Sequence, residues 1–296
     1  MPAETPLIEL TIPSRDTDLG GGFHVRRLLP YARRRMLGPF IFLDHMGPAE
    51  FSIGEGLDVR PHPHIGLSTV TYLFEGEIIH KDTLGSDQAI TPGAVNWMTA
   101  GQGISHSERT GITERGHLHN VHGLQSWIAL PKECEESAPS FSHHEENTIP
   151  FLDLKGVRLR VIAGEAYGMT SPTTIYSPLF YVYAQMEAGS TLELLDQYLE
   201  RGAYIISGDV EIGGTAIEQR TLPVFLPQGP IKIEAKTTAH LVLLGGEPLP
   251  EKRFIWWNFV STSQDRIEQA KLDWAEGRFG KIPGDATEFI PLPKSP

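Results

Sequence analysis

Two short stretches of the chain carry metal-binding residue types at a spacing that aims them together. Arg60-Pro-His-Pro-His64 puts His62 and His64 two apart, and Ser105-His-Ser-Glu108 does the same for His106 and Glu108. On a strand, residues i and i+2 point to one face, so each stretch presents a pair of donors on one side. Pro61 and Pro63 restrict the backbone and remove two N–H donors, which suits a stiff strand start or an edge. Gly101 and Gly103, just ahead of the second pair, permit a tight turn. If the two strands are neighbours, three imidazoles and one carboxylate reach one point. Such a set suits Fe(II), Mn(II), Ni(II), Cu(II) or Zn(II), and residue types alone do not choose among them. On an octahedral ion it leaves positions for water, a bidentate substrate or O2.

The remaining histidines read differently. All but His240 of the 12 lie in the first 144 residues, so the chemistry belongs to the first half of the chain. His117, His119 and His122 in HLHNVHG read as supporting or packing residues, because a full donor set exists without them. His143 and His144 fall in a polar stretch and read as solvated, and His240 as an ordinary polar strand position. Cys134, the only cysteine, lies in polar KECEES and reads as a bystander.

The elements that must position these residues are strands. LIELTI, STVTYLF, EIIH, LQSWIAL, VRLRVIA, LFYVYAQM, TLELL, AYIIS, DVEI, IKIEA and HLVLL alternate apolar and polar, with Gly- and Pro-rich turns between them. That pattern predicts an all-β sandwich or barrel. An internal echo divides it in two: Tyr72-Leu-Phe-Glu-Gly76 matches Tyr204-Ile-Ile-Ser-Gly208 in spacing, and each is followed by a second strand. The echo predicts a duplicated domain. It maps His62 onto Leu194 and His64 onto Asp196, so the second copy has lost the pair. The boundaries that follow are a first domain over 1–131, a linker over 132–150 and a second domain over 151–296. Near the end, RFIWWNFV reads as one packing strand. An amphipathic helix over about 263–276 follows, with Ile267, Ala270 and Trp274 on one face, Thr262 or Ser263 as cap and Gly277 as stop.

Composition excludes several classes. With 37 acidic against 25 basic side chains, the net charge of -12 opposes general binding to nucleic acid or anionic membrane. The local run Arg26, Arg27, Arg33, Arg34 and Arg35 reads as solvated surface. A single cysteine forms no internal disulfide, and no secretory start or membrane-length apolar window is visible, so a reducing cytoplasm is the expected location.

PHPHIGLSTVTYLFEGE, TPGAVNWMTAGQGISHSE and HGLQSWIALP closely resemble the pirin family of the cupin superfamily. EKRFIWWNFVS, the helix DRIEQAKLDW and EFIPLP extend the resemblance, in order, along nearly the whole chain. It implies a bicupin: two β-sandwich barrels packed together, a short C-terminal helix, and a metal in the first barrel only. It also implies that the metal is iron, as is usual in pirins, held by His62, His64, His106 and Glu108. The chain departs from many pirins at Ile65 and Ser68, where they carry arginine and glutamate, so the surroundings of the metal are expected to be more apolar.

Some pirins resemble quercetinases, metal-dependent dioxygenases that open flavonol rings with O2 and release carbon monoxide. The expected function is therefore a quercetin 2,3-dioxygenase-like enzyme acting on a small phenolic substrate. Glu108 would take the substrate proton, and Ile65, Phe74, Trp97 and Met98 would line the pocket. The alternative is an iron-dependent redox-sensing protein that changes its affinity for a protein partner without turnover.

Overall fold

The computed structural model describes residues 7–19 and 23–294. The alternating stretches are strands: STVTYLF lies in Leu67–Glu75, EIIH overlaps Ile78–Asp82, LQSWIAL overlaps His119–Ala129, and LFYVYAQM is Leu179–Met186. Among the described residues one α-helix forms, Gln264–Ala275, with Ile267, Ala270 and Trp274 buried. Ser263 caps it, its hydroxyl accepting the Arg266 N–H at 3.3 Å. Among the described residues no helix is long and apolar enough to cross a membrane.

The chain forms two compact units, and they are not its two halves. One gathers residues 44–146 with the short segment around 23–25 and with 250–294. The other gathers 147–249 with 7–17 and 26–43. The sequence pattern, read as a single division at 132–150, does not contain this exchange, because strand periodicity is local and names no partner.

In the unit that carries the clustered histidines, the larger sheet runs in the order Ser140–His144, Val95–Thr99, Leu67–Glu75, His119–Ala129, then the part of Phe40–Phe51 from Asp44 onward. The smaller sheet runs Asp58–His64, Ile104–Arg109, Ile78–Asp82, Asp87–Ile90. The other unit repeats this smaller sheet as Thr191–Leu194, Ile231–Ala235, Val210–Ile212, Thr215–Ile217. The echoed glycines sit in matching turns, Gly76 at φ +88° and Gly208 at φ +89°. At each, a Cβ would strike a backbone carbonyl oxygen, of Asn120 and Thr238 respectively, so only glycine fits.

The interiors differ. The second unit is filled by a continuous aliphatic core that includes Leu192, Leu194, Ile212, Ile231 and Ile233 from its smaller sheet. The first unit's apolar residues fall in separate groups, one around Leu57, Leu73, Ile78 and Val121, another of Met98, Ala100 and Ile104 against Phe141. The smaller sheet of this unit nevertheless buries polar side chains, His62, His64, His80, His106 and Glu108, beside Ile78 and Ile104.

Three local expectations change. The 132–150 stretch is structured, not a linker: Ser140–His144 extends the larger sheet by pairing with Val95–Thr99. His143 is accordingly half-buried and bonds Asn96 Oδ1 at 2.7 Å instead of standing in solvent. RFIWWNFV is a hairpin of Phe254–Trp256 and Phe259–Ser261, turned at Trp257 with φ +52°. Of the arginine run, Arg34 is paired with Glu9 and Glu200.

The outer face of the Asp58–His64 and Ile104–Arg109 strands is covered by the C-terminal segment. Ile65 packs with Phe259, Ile267 and Trp274. Ile290 N–H bonds the Pro61 carbonyl at 2.8 Å. Arg109 grips Asp285 through two bonds of 2.7 and 3.0 Å. Beneath the hairpin, Glu135 is buried against Arg253 at 3.2 Å and accepts from Ser261 Oγ, Thr262 N–H and Thr262 Oγ1.

Candidate metal centre

Strand alternation brings the histidines together as their spacing requires. His62 lies directly opposite His106 across the antiparallel pair. With His64 they form a cluster whose donor atoms lie within 4.8 Å of one another. Ring centroids are 4.4 Å apart for His62 and His106 and 5.0 Å for each of the other two pairs. Pro61, Pro63, Ser105 and Ser107 alternate with them and point to the opposite face.

Burial holds all three imidazoles neutral, the form a metal takes. Taking His62 out of water lowers its pKa to about 4, against a bond to the Arg60 carbonyl that pulls upward. His64 and His106 are also held well below the ordinary value, mainly by burial and then by their histidine neighbours. His62 Nδ1–H donates to Arg60 O at 2.9 Å, which leaves its Nε2 lone pair free. His64 Nδ1 and His106 Nε2 are buried with no hydrogen-bond partner. Orphaned buried nitrogens are costly, and a cation between them would satisfy both. Three neutral, convergent nitrogens thus fit a divalent transition metal, and this is the group of metal-binding type found among the described residues.

Glu108 stands near this cluster but outside the mutual 4.8 Å span. The register slips between His106 and Glu108, so Glu108 lies across from Val59 on one side and from His80 on the other. Glu108 Oε1 accepts from Thr71 Oγ1 at 3.1 Å, and the same hydroxyl lies 2.8 Å from Gln125 Oε1. One hydroxyl hydrogen cannot serve both. Both bonds form when the Gln125 amide is turned so that its nitrogen donates to Thr71. Burial raises the Glu108 pKa, and His80 and Thr71 only partly oppose it.

Other expected residues lie elsewhere. Ile65 belongs to the packing group with the C-terminal helix, and Phe74 packs edge-on against Tyr72 and His122. Trp97 donates to Thr99 Oγ1 on the face opposite Met98. Of the four side chains expected to line a pocket, only Met98 shares the inward face with Thr69. His119 stacks on Phe51, and His122 bonds His45 at 2.8 Å, which fits their reading as packing residues.

The sequence reading missed Trp127 and His80. Trp127 stands edge-on 5.0 Å from His64. His80 is buried, lies 3.4 Å from His106 through their Nδ1 atoms, and stacks on Phe141 at 4.3 Å. His80 Nε2 meets Asp82 Oδ2 at 2.9 Å, and Asp82 Oδ1 accepts the N–H groups of Leu84 and Ser86. The signal for this pair was present: His80 and Asp82 are also two apart on a strand.

The pirin family profile matches residues 22–128, and the pirin C-terminal cupin domain matches 181–280. A pirin-like protein of Caulobacter vibrioides is 52% identical over 97% of this chain and 100% of its own. A Pseudomonas aeruginosa protein provisionally named quercetin 2,3-dioxygenase is 42% identical over 94% of this chain and 87% of its own. A crystal structure titled quercetin 2,3-dioxygenase, from Acinetobacter baumannii, superimposes with a TM-score of 0.90 at 35% identity, covering 98% of this chain and 96% of that one. The two profile matches together span most of the chain, and the chain belongs to the pirin family.

Proposed function

We propose that this protein is a metal-dependent dioxygenase of the quercetin 2,3-dioxygenase type, with Fe(II) as its metal and a flavonol-like phenol as its substrate. The observation that carries the reading is the buried set of His62, His64 and His106, with two ring nitrogens left without partners. The likeness to proteins named as quercetin dioxygenases supports the reaction class. When bound, a divalent ion supplies Lewis acidity and a template for a chelating substrate.

The chain's own groups supply the rest. Glu108, with its pKa raised by burial, is suited to take the proton of the substrate's 3-hydroxyl. Thr71 fixes one of its oxygens and leaves the other to receive that proton. Trp127, beside His64, and Met98, in its apolar group with Phe141, offer apolar surface for a planar ring.

The test is metal content of protein purified without added metal, for wild type and His62→Ala, followed by a quercetin assay started anaerobically and opened to air. About one iron per chain in wild type, none in the variant, and metal-dependent quercetin loss are expected. Bound metal with no turnover of any phenol would overturn the dioxygenase reading and leave a non-catalytic metal protein.

A further inference from the structure

We propose that His80 and Asp82 form a positioning relay that fixes the His106 ring and strengthens it as a metal donor. The inference rests on the reading that His62, His64 and His106 hold a divalent metal. The geometry assigns each proton. His106 has a buried Nε2 without a partner, so its hydrogen is on Nδ1, which faces His80 Nδ1 at 3.4 Å. His80 Nδ1 must then accept, which puts its own hydrogen on Nε2, where Asp82 Oδ2 accepts it at 2.9 Å. Asp82 is itself fixed by the N–H groups of Leu84 and Ser86. The series runs from a carboxylate anchored in a turn, through one imidazole, to the ring that faces the metal position. Metal-bound histidines ordinarily donate their other N–H to a carboxylate, carbonyl or water, which sets the tautomer and raises basicity. Here an intervening imidazole extends that arrangement, held flat by its stack on Phe141.

The protein contains its own control. In the second unit, Leu194 pairs with Ile231 where His62 pairs with His106, and Ile212 pairs with Ile233 where His80 pairs with Glu108. All four replacements are buried aliphatics in one core. The fold therefore does not need polarity at the His80 position. A buried His–Asp pair is also no better for stability than packed apolar groups. His80 is present where the three clustered histidines are present and absent where they are absent, as expected of a group serving them.

The experiment titrates Co(II) into metal-free protein against a competing chelator, recording affinity and visible absorption bands, for wild type, His80→Phe, His80→Asn and Asp82→Asn. His80→Phe keeps the stack on Phe141 but removes the acceptor, and Co(II) affinity is expected to fall about 10–100-fold with shifted bands. His80→Asn places an acceptor oxygen near the lost Nδ1 and should recover most of that affinity. Asp82→Asn keeps shape and removes charge, and should shift the bands and weaken binding several-fold. It decides the matter if His80→Phe fails to fold. Wild-type affinity and unshifted bands in the folded variants would overturn the relay and leave the metal site standing. Failure of wild type to bind Co(II) would overturn both.

Discussion

A neutral imidazole withdrawn from water has a lone pair to offer and a proton it resists accepting. That resistance has a cost in acid. His62 titrates near 6.5 when unfolded and about 4 in the native structure, so as pH falls the unfolded chain binds its proton first. The metal-free protein keeps its full stability above about pH 6.5 and loses it progressively down to about pH 4, by about 3 kcal/mol from this one group. Urea midpoints of metal-free protein at pH 7.5 and 5.0 check this, and equal midpoints would contradict it. On the proposed function, Glu108 is the residue at which metal binding and turnover can be separated. Because it lies outside the three-histidine span, Glu108→Gln should retain metal while losing at least about 100-fold in turnover of a phenolic substrate. Metal analysis and kinetics on one preparation decide the point. At this scale the sequence revealed most where stiffness was written beside chemistry: prolines flank His62 and His64, and glycines precede His106. Thr71, Gln125 and Trp127 carried no such mark, since their roles come only from the larger sheet facing the smaller one that holds the histidines.

Among the elements, the smaller sheet of the first unit depends on what covers its outer face. The hairpin Phe254–Ser261 runs beside Ile65, one residue past His64, and Val260 N–H bonds the Ile65 carbonyl at 3.2 Å. That hairpin is anchored by Glu135, which is buried with Arg253 and takes three donors from Ser261 and Thr262. Glu135→Ala leaves the Arg253 charge buried without this partner, and a loss of about 3–5 kcal/mol is expected in chemical denaturation. A change under about 1 kcal/mol would show that the anchor is dispensable. The helix was legible to within a residue because cap and apolar period agreed. The hairpin was not, because a run as apolar as Phe254–Val260 reads equally as one buried strand, and the turn falls on Trp257 and Asn258 without a glycine or proline to announce it.

The whole molecule carries one architecture twice and places the clustered histidines in one copy. The copy with His62, His64, His80, His106 and Glu108 has a divided apolar interior; the copy with Leu194, Ile212, Ile231 and Ile233 has a continuous one. The duplication was legible because its turns demand glycine at matching places. The exchange of terminal segments was not, and it changes what can be cut from the chain. A fragment of residues 1–131 lacks the Ser140–His144 strand and the 250–294 segment of its own unit, while carrying segments that belong to the other. It is expected to give a poorly dispersed amide NMR spectrum where the full chain gives a dispersed one. A folded fragment that binds metal would contradict this. The same exchange sets an order of events on the ribosome. The strands bearing His62 and His106 emerge early, but Phe259, Asp285 and Ile290, which cover their outer face, are made only after all of residues 147–249. A nascent chain is therefore expected to leave the outer face of the histidine strands uncovered through most of its synthesis, and stable loading of the proposed metal is expected to wait for a chain complete to about Ile290.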